Sequence, residues 1–302
     1  MGPRGCSALF TNETPPRCRR AAPPRYTCNM TTSAVLSHTR EFTVPVLSGP
    51  RYSLSISTES HHREAAQRLR RRVFATEPGF TLPADGSDLD VDPFDEFCDH
   101  LLAHEISTGE LVGCYRMMQP LAAREAGGYY TATEFDLSAL DPYRLRAVEM
   151  GRACVDAAHR SGSVLTLMWA GILRYLELTG HDRVIGCVSV PMQLHPGDAV
   201  GANVRGVRDM VLERHGIEPE RRARPLKPVL VDGRFLDEID GPARVVVPPL
   251  MRGYLRLGAQ ICGDPAHDPD FGVADFVAML SLHDANIRYL ERLRAAAESS
   301  EG

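Results

Sequence analysis

Two charged side chains stand inside an otherwise apolar run, Val148-Glu149-Met150-Gly151-Arg152-Ala153-Cys154-Val155. A charge inside a buried strand is costly unless it is paired or used in chemistry. On a straight strand Glu149 and Arg152 would face opposite sides, so we expect a β-bulge at Gly151 that turns both toward one cleft. Burial raises the pKa of a carboxyl group, so Glu149 could act as a general base near neutral pH. A structural ion pair is the alternative.

A second group begins with the arginine-rich run Leu69-Arg70-Arg71-Arg72-Val73-Phe74 and continues, after a loop, with Asp92-Pro93-Phe94-Asp95. A guanidinium binds a carboxylate through two parallel hydrogen bonds, and aspartates pair with an ammonium group. Together these residue types could bind a zwitterion such as an amino acid. A solvated helix end beside an acidic loop is the alternative interpretation.

A third group, His159-Arg160-Ser161-Gly162-Ser163, leads directly into an apolar helical pattern that contains the only tryptophan. The free N–H groups and the dipole at a helix start favour an anion there, such as a phosphodiester or pyrophosphate. No Gly-Lys-Ser/Thr follows, so the segment is not a P-loop.

Other chemistries lack their patterns in this chain of 302 residues. The eleven histidines show no HExxH spacing, so we expect no metal site, and no G-x-S-x-G elbow is present. The eight cysteines include no C-x-x-C pair, and those in apolar runs are expected to be reduced and structural. A net charge of −5 argues against a nucleic-acid binder, and no apolar stretch is long enough to span a membrane. Because the cysteines are expected to be reduced, we expect a cytoplasmic protein.

The amino-terminal residues differ from the rest of the chain. Residues 1–50 are rich in Arg and Pro and lack hydrophobic periodicity, so we expect them to be disordered. A transit peptide, or a native start at Met30, is the alternative. We expect one domain over residues 51–295, with a charged insert at 193–228, and a disordered tail at 296–302.

Strand and helix patterns alternate through this domain without a regular βαβ repeat, and one strand pair is a hairpin. They favour the α/β class of α+β type, with a mixed, mostly antiparallel sheet flanked by helices. The predicted elements are a strand from Tyr52, a helix ending near Phe74, hairpin strands at 99–106 and 110–118, a strand at 146–155, a helix at 164–178, a strand at 183–190, helices at 204–215 and 248–257, and a strand at 273–282.

In chain order, the motifs resemble the hemolysin-like branch of the GNAT acyltransferases, which contains the ornithine-lipid N-acyltransferases. The resemblance covers about residues 52–290 and rests on LRRRVF, DPFDEFCDHLLA, GELVGCYRMM, YYTATEFDLS, VEMGRACV, HRSGSVLTLMWAGI, IGCVSV, PPLMRGYLRLGA and VADFVAMLSL. The amino-terminal half is also similar to the acyl-homoserine-lactone synthases, which share the R-x-x-V-F, D-x-F-D and E-x-x-R patterns.

The resemblance implies a GNAT-like sheet whose central strands separate to admit a pantetheine arm. It places Glu149 and Arg152 in the cleft as catalytic residues, with Glu149 as the base. The amino-substrate pocket would be shaped by Arg70, Phe74, Asp92, Asp95 and Arg116. The pantetheine phosphate would bind at Arg160, Ser161, Gly162, Ser163 and Val164. This last segment has one glycine where the family pattern has two, which favours a carrier-protein donor over coenzyme A.

The implied function is transfer of a fatty or 3-hydroxy-fatty acyl group from an acyl carrier protein to the α-amine of an amino acid, with ornithine favoured. No cofactor is expected to stay bound, because acyl-ACP or acyl-CoA is a co-substrate. We expect Arg116→Ala to weaken use of the amino substrate with folding intact. The alternatives are a lactone synthase that uses S-adenosylmethionine and a non-catalytic acyl sensor. Peripheral contact with the inner membrane face, through the arginines of 205–224, is a secondary expectation, and nucleic acid is not an expected partner.

Overall fold

The structure is a computed structural model that describes residues 41–77, 86–160 and 162–286, together with residues 288, 289, 291, 292 and 295. Its strands are β1 (Thr43–Ser48), β2 (Tyr52–Ser57), β3 (Asp99–Glu105), β4 (Leu111–Met118), β5 (Phe135–Asp136), β6 (Ala147–Val155), β7 (Arg183–Pro191), β8 (Arg224–Pro225), β9 (Leu230–Val231), β10 (Arg234–Phe235), β11 (Gln260–Ile261), β12 (Ala266–Asp268) and β13 (Val273–Ser281). Its α-helices are α1 (Ser60–Phe74), α2 (Pro120–Glu125), α3 (Asp141–Arg144), α4 (Ser163–Thr179), α5 (Ala202–His215) and α6 (Pro249–Leu257).

A central sheet runs in the order β1-β2-β3-β4-β6-β7-β13-β11, and β12 also pairs with β13. Its neighbours are antiparallel except β6 and β7, which are parallel. Helices cover both faces of this sheet. Since alternate residues of a strand point to opposite faces, one strand contacts helices on both sides. Leu102 packs with α1, whereas Leu101 and Ala103 pack with α4. The predicted mixed, mostly antiparallel sheet flanked by helices is confirmed.

The two parallel strands separate in the middle of the sheet. Their pairing begins at Ala147 with Arg183 and ends at Glu149 with Ile185. Beyond that point β6 continues along β4 and β7 continues along β13. Gly186 stands at the point of separation, where a Cβ atom would lie 2.2 Å from the carbonyl oxygen of Met150. A residue without a side chain is therefore required there, and the separation opens a cleft directly after Glu149.

A β-bulge lies in β6 beside this cleft. Cys114 pairs with Cys154 and Arg116 pairs with Gly151, so Arg152 and Ala153 together oppose a single residue of β4. The predicted bulge at Gly151 is therefore one residue off. Arg152 takes the left-handed conformation itself, with φ of 50°, at a cost of about 1–3 kcal/mol. Its ion pairs with aspartates, described below, help to hold this conformation.

The start of the fold differs from the expectation of disorder through residue 50. Thr43–Ser48 forms β1 and pairs antiparallel with β2. The strand is hard to predict from the sequence because proline is unusual in a sheet. Pro45 is tolerated because β1 is an edge strand and because Pro45 lies next to a register shift. The predictions for residues 1–40, the tail at 296–302 and Ser161 fall outside the described residues.

The segment 193–228, predicted to be an insert, contributes to the core through α5. Val204, Val207 and Val211 are fully buried and join a cluster that includes residues of β7 and β13. On the outer side Arg205 pairs with Asp209, and Arg208 pairs with Asp237 and Asp264. Within the described part of the chain, no helix is both long and apolar enough to cross a membrane.

Candidate active site

The separation of β6 and β7 leads into a cavity of about 410 Å³. It is lined by side chains from β4, β6, β7 and β13, by the turn at 130–133 and by the start of α6. Of the residues that the sequence assigns to catalysis and amino-substrate binding, those on the cavity wall are Phe74, Arg116, Glu149 and Arg152.

Glu149 lies on the cavity wall and is only 4% exposed. One carboxylate oxygen accepts the backbone N–H of Tyr130 at 2.8 Å, and the other accepts that of Thr131 at 2.7 Å. Burial raises the pKa of Glu149 and outweighs the hydrogen bonds from Thr131 and Tyr130, which lower it. The direction of this pKa shift favours a general base, and the carboxylate also holds the turn that begins at Tyr130.

Arg70 and Asp95 form a buried ion pair behind the cavity wall, with side chains 1% and 2% exposed. Arg70 Nη2 lies 2.6 Å from Asp95 Oδ2, and its Nε lies 2.7 Å from Asp90 Oδ2. Burial opposes ionisation of Asp95, but the hydrogen bonds and charge of Arg70, together with the charge of Arg116, hold its pKa well below the ordinary range. The two groups therefore stay charged and fixed.

Asp92 links this buried pair to the cavity. One of its oxygens lies 2.8 Å from Arg116 Nη1, and the other lies 2.7 Å from Arg152 Nη2. The ring of Tyr130 contacts both cations, with centroid distances of 5.5 Å to Arg116 and 5.7 Å to Arg152. Arg152, 16% exposed, presents its guanidinium at the cavity wall. The aspartates therefore orient the two arginines.

The predicted amino-substrate residues consequently fall into two layers. Phe74 and Arg116 reach the cavity, whereas Arg70, Asp92 and Asp95 form the ion-pair network that supports it. Sequence reasoning missed Asp90, which pairs with Arg70 and lies 3.5 Å from Arg152. The roles of all these residues in a reaction stay predictions.

An acidic cluster, made up of Glu134, Asp268 and Asp275, stands at the same cavity and was not predicted. Their nearest carboxylate oxygens lie within 4.8 Å of one another, and both aspartates line the cavity. Burial, then the charge of Asp275, raises the pKa of Glu134 to about 8. Burial raises the pKa of Asp275 to about 6. A signal for Asp275 was present, because it is a lone acid in an apolar strand, as Glu149 is.

The acidic cluster makes stability depend on pH. Carboxyl groups whose pKa is raised in the folded state favour the protonated form, so their stabilising contribution is full below the ordinary carboxyl pKa and is lost as pH rises. We expect the free energy of unfolding to fall between pH 4.5 and about 8, the ordinary and raised pKa values of Glu134. Chemical denaturation at pH 5 and pH 8.5 tests this, and Glu134→Gln should reduce the decrease. An equal decrease in the variant would contradict the assignment.

The predicted pantetheine segment lies at the start of α4, and none of its described residues is on the cavity wall, although Arg160 pairs with Glu77, which is. Gly162 precedes the helix with φ of 95°, a conformation that favours glycine. Arg160 donates to the backbone oxygen of Val155 at 3.0 Å and to Glu77 at 2.7 Å. Val164 is fully buried in the core, so its backbone rather than its side chain could face an anion.

Two groups of described side chains are close enough to hold a metal ion. One is the acidic cluster, and the other is formed by Glu59, His61 and His62 at the start of α1. Acidic and histidine side chains can come this close without a metal, so the geometry alone assigns no ion to either group.

Several known proteins are similar to this chain in sequence. Residues 69–170 match the acetyltransferase (GNAT) domain family. An L-ornithine Nα-acyltransferase of Brucella abortus (strain 2308) is 33% identical over 250 residues, which cover 78% of this chain and 85% of that protein. The chain belongs to the L-ornithine Nα-acyltransferase family. A second member, from Rhizobium meliloti (strain 1021), is 30% identical over 249 residues, covering 78% of this chain and 81% of the relative. The family predicted from the motifs is confirmed.

The matched GNAT domain contains Glu149, Arg152 and the 160–164 segment, whereas Asp268 and Asp275 lie outside it. Among solved structures, a CoA-dependent acyl-homoserine lactone synthase with S-adenosylmethionine and isopentyl-CoA aligns at a TM-score of 0.44 and 13% identity. The alignment covers 79% of this chain and 83% of that one. As a member of the L-ornithine Nα-acyltransferase family, the protein is an acyltransferase.

Proposed function

We propose that this acyltransferase moves a fatty acyl group from a carrier-protein thioester to the α-amine of ornithine. The observation that carries the proposal is the position of Glu149, a buried carboxylate with a raised pKa at the point where β6 and β7 separate. The names of the family's members, L-ornithine Nα-acyltransferases, support the choice of amine.

In the proposed reaction, Glu149 takes a proton from the α-ammonium group of the amino acid, directly or through a water molecule. The free amine attacks the thioester carbonyl, and backbone N–H groups of the separated strands stabilise the developing oxyanion. The tetrahedral intermediate then expels the pantetheine thiolate, and the second proton of the attacking nitrogen passes through solvent to this thiolate. The products are an amide, which is an N-acyl amino acid, and a free pantetheine thiol.

The charges around the cavity match the three charged groups of ornithine. Arg152 offers a cation for the α-carboxylate, and Glu149 is available for the α-ammonium group. The acidic cluster would bind the second, distal ammonium group, because three carboxylates in one place strongly favour a cation. Its members, two of them with a raised pKa, would release protons when that cation binds.

An apolar cavity adjoins the cleft and suits the acyl chain. It has a volume of about 70 Å³ and lies between α4, α6 and the sheet. Four residues, Tyr115, Met150, Cys187 and Tyr254, line both cavities, so a chain that enters through the cleft can continue into the apolar space. We favour a carrier-protein donor because the 160–164 segment has a single glycine and Arg160 is engaged by Glu77.

Glu134→Gln and Asp275→Asn are expected to raise KM for ornithine by about 10- to 100-fold, the effect of losing a hydrogen bond to a charged group. The KM for norvaline, which is ornithine without its distal amine, should change little. The preference of the enzyme for ornithine over norvaline should therefore be largely lost. Steady-state kinetics with both amino acids checks this split. Parallel losses for the two substrates would contradict the assignment, and an EDTA sensitivity of the wild type that both variants lack would assign the cluster to a metal ion.

The proposed function is tested by mass spectrometry of lipids extracted from cells that express the protein, with Glu149→Gln beside it. We expect N-acyl ornithine with the wild type only. A different N-acyl amine would correct the acceptor, and release of methylthioadenosine by purified protein would favour a lactone synthase. No new lipid from folded protein supplied with acyl carrier protein would overturn the proposal.

A further inference from the structure

One residue of the cleft, Tyr130, contacts each of the three groups that are proposed to bind ornithine. Its backbone N–H donates to Glu149 at 2.8 Å, and the centre of its ring lies 5.7 Å from the guanidinium of Arg152. Its hydroxyl is hydrogen-bonded to Glu134 of the acidic cluster, and Tyr130 itself lines the cavity. The proposed base, the cation for the α-carboxylate and the acidic cluster therefore have one residue in common.

The hydroxyl of Tyr130 is the donor in its hydrogen bond to Glu134. Burial and the charge of Glu134 raise the pKa of this hydroxyl, so it keeps its proton. The hydrogen bond lowers the pKa of Glu134, against the burial that raises it, as a donor to a carboxylate does. Tyr130 therefore favours the charged form of Glu134 and fixes the direction in which this carboxylate points. Recognition of a distal ammonium group depends on both.

Tyr130 is itself held in place by contacts of its backbone and its ring. Its carbonyl oxygen accepts a hydrogen bond from the Thr133 hydroxyl at 2.7 Å, so both of its backbone polar groups are engaged. Its ring packs edge to face with Phe94, with the ring centroids 5.9 Å apart. Tyr130 joins Glu149, at its backbone, to Glu134, at its hydroxyl. The separation of these two carboxylates is therefore set by the length of a fixed tyrosine side chain.

We propose that Tyr130 is a positioning residue that sets the distance between the sites for the two amino groups, and thereby selects an amino acid by the length of its side chain. Glu149 receives the α-amine and Glu134 the distal amine, so an amine on a longer or shorter chain reaches Glu134 out of position. A charged group that misses its partner loses that hydrogen bond and its contribution to binding. The inference rests on the proposed acylation of ornithine and adds the residue on which chain-length specificity depends.

The test compares ornithine with lysine, whose chain is one methylene longer, and with norvaline, all with the same acyl thioester. We expect the wild type to prefer ornithine over lysine in kcat/KM by about tenfold or more. Tyr130→Phe removes only the hydroxyl and keeps both the ring and the N–H that binds Glu149. It should reduce this preference about fivefold through a higher KM for ornithine, while kcat for ornithine and KM for norvaline change little.

Tyr143→Phe is the matched control. The ring of Tyr143 also packs against two arginines, Arg183 and Arg221, but Tyr143 lines neither cavity, so this change should leave the kinetics of all three amino acids as they are. Glu134→Asp provides a second variant that keeps Tyr130. It draws the carboxylate back by one methylene and should shift the preference from ornithine toward lysine.

Each other outcome has a distinct meaning. Equal losses for ornithine, lysine and norvaline in Tyr130→Phe would assign Tyr130 to packing alone and overturn its role in selection, while ornithine acylation would stand. An unchanged preference in Tyr130→Phe and Glu134→Asp, or a wild type that uses ornithine and lysine equally, would overturn that role in the same way. A wild type that acylates none of the three amino acids would overturn the proposed function, and with it this inference.

Discussion

Glu149→Gln is expected to lower kcat for ornithine acylation by about 10²- to 10⁴-fold, the usual contribution of a general base. Glutamine has nearly the same size as glutamate, but its amide cannot accept the proton from the α-ammonium group. The measurement is kcat at saturating ornithine and acyl thioester, with the melting temperature recorded beside it. Since the side chain also accepts the N–H groups of Tyr130 and Thr131, a moderate fall in melting temperature should accompany the loss.

The pH profile separates the base from a merely structural glutamate. In the wild type kcat should rise with pH through the raised pKa of Glu149, because only the ionised carboxylate accepts a proton. This rise of kcat with pH should be absent from the residual activity of Glu149→Gln. The exposed Glu110→Gln serves as the matched control and should leave the profile as it is. Activity of Glu149→Gln near that of the wild type would remove Glu149 from this role.

Asp95→Asn is expected to reduce the free energy of unfolding by about 3–5 kcal/mol, the cost of breaking a buried ion pair from one side. Asp95 binds Arg70, Arg116 and Gln67 at once, and asparagine leaves two buried guanidinium groups short of a counter-charge. Denaturant titration at pH 7 measures the change. The control is Asp88→Asn, whose exposed partner is Arg68, with an expected cost of about 0–1 kcal/mol.

The same ion-pair network determines how the free energy of unfolding changes as the pH falls. The pKa of Asp95 is held below the ordinary range in the folded state, so its stabilisation is present above the ordinary carboxyl pKa and is lost as pH falls through the lowered value. Asp95→Asn should therefore lose less of its free energy of unfolding than the wild type as the pH falls. A free energy of unfolding at pH 7 within about 1 kcal/mol of the wild type, which is a change of about fivefold or less in the folding equilibrium, would contradict the assignment.

Arg116→Ala follows the same reasoning. The sequence predicted that this change would weaken amino-substrate use with folding intact. Arg116 is 3% exposed and pairs with both Asp92 and Asp95, so its removal leaves two buried carboxylates without one of their cationic partners. Loss of stability is now the expected first effect.

Elements with strong periodicity could be predicted from the sequence. The 99–106 and 110–118 hairpin, the tryptophan-bearing helix and the late strand at 273–282 each agree with the structure within a residue or two at their ends. The helix shows the spacing of one buried face, and β4 and β13 are short apolar runs of the kind expected for strands buried on both faces. β1 was missed because it contains Pro45, and the bulge was misplaced because a glycine normally takes the positive φ that Arg152 adopts.

The candidate site was predictable only in part. Glu149 stands out as a charge inside an apolar strand, and the arginine–aspartate motifs indicated an ion-pair network. The division of that network into a cavity wall and a buried support depends on which side chains the fold covers, which local spacing does not encode. The acidic cluster joins Glu134 to Asp268 and Asp275, which are far apart in the chain. Asp268 and Asp275 come together because β12 pairs with β13, and β13 in turn pairs with β7.

The early end of the β6–β7 ladder has a consequence for the architecture as a whole. Strand edges with free N–H and C=O groups normally occur at the outside of a sheet, where they invite pairing with other chains. Here two such edges face each other in the interior, between strands that each have a complete partner on their other side. In the proposed reaction, an extended thioester arm with its own amide groups would pair with both edges as a temporary strand and make the sheet continuous.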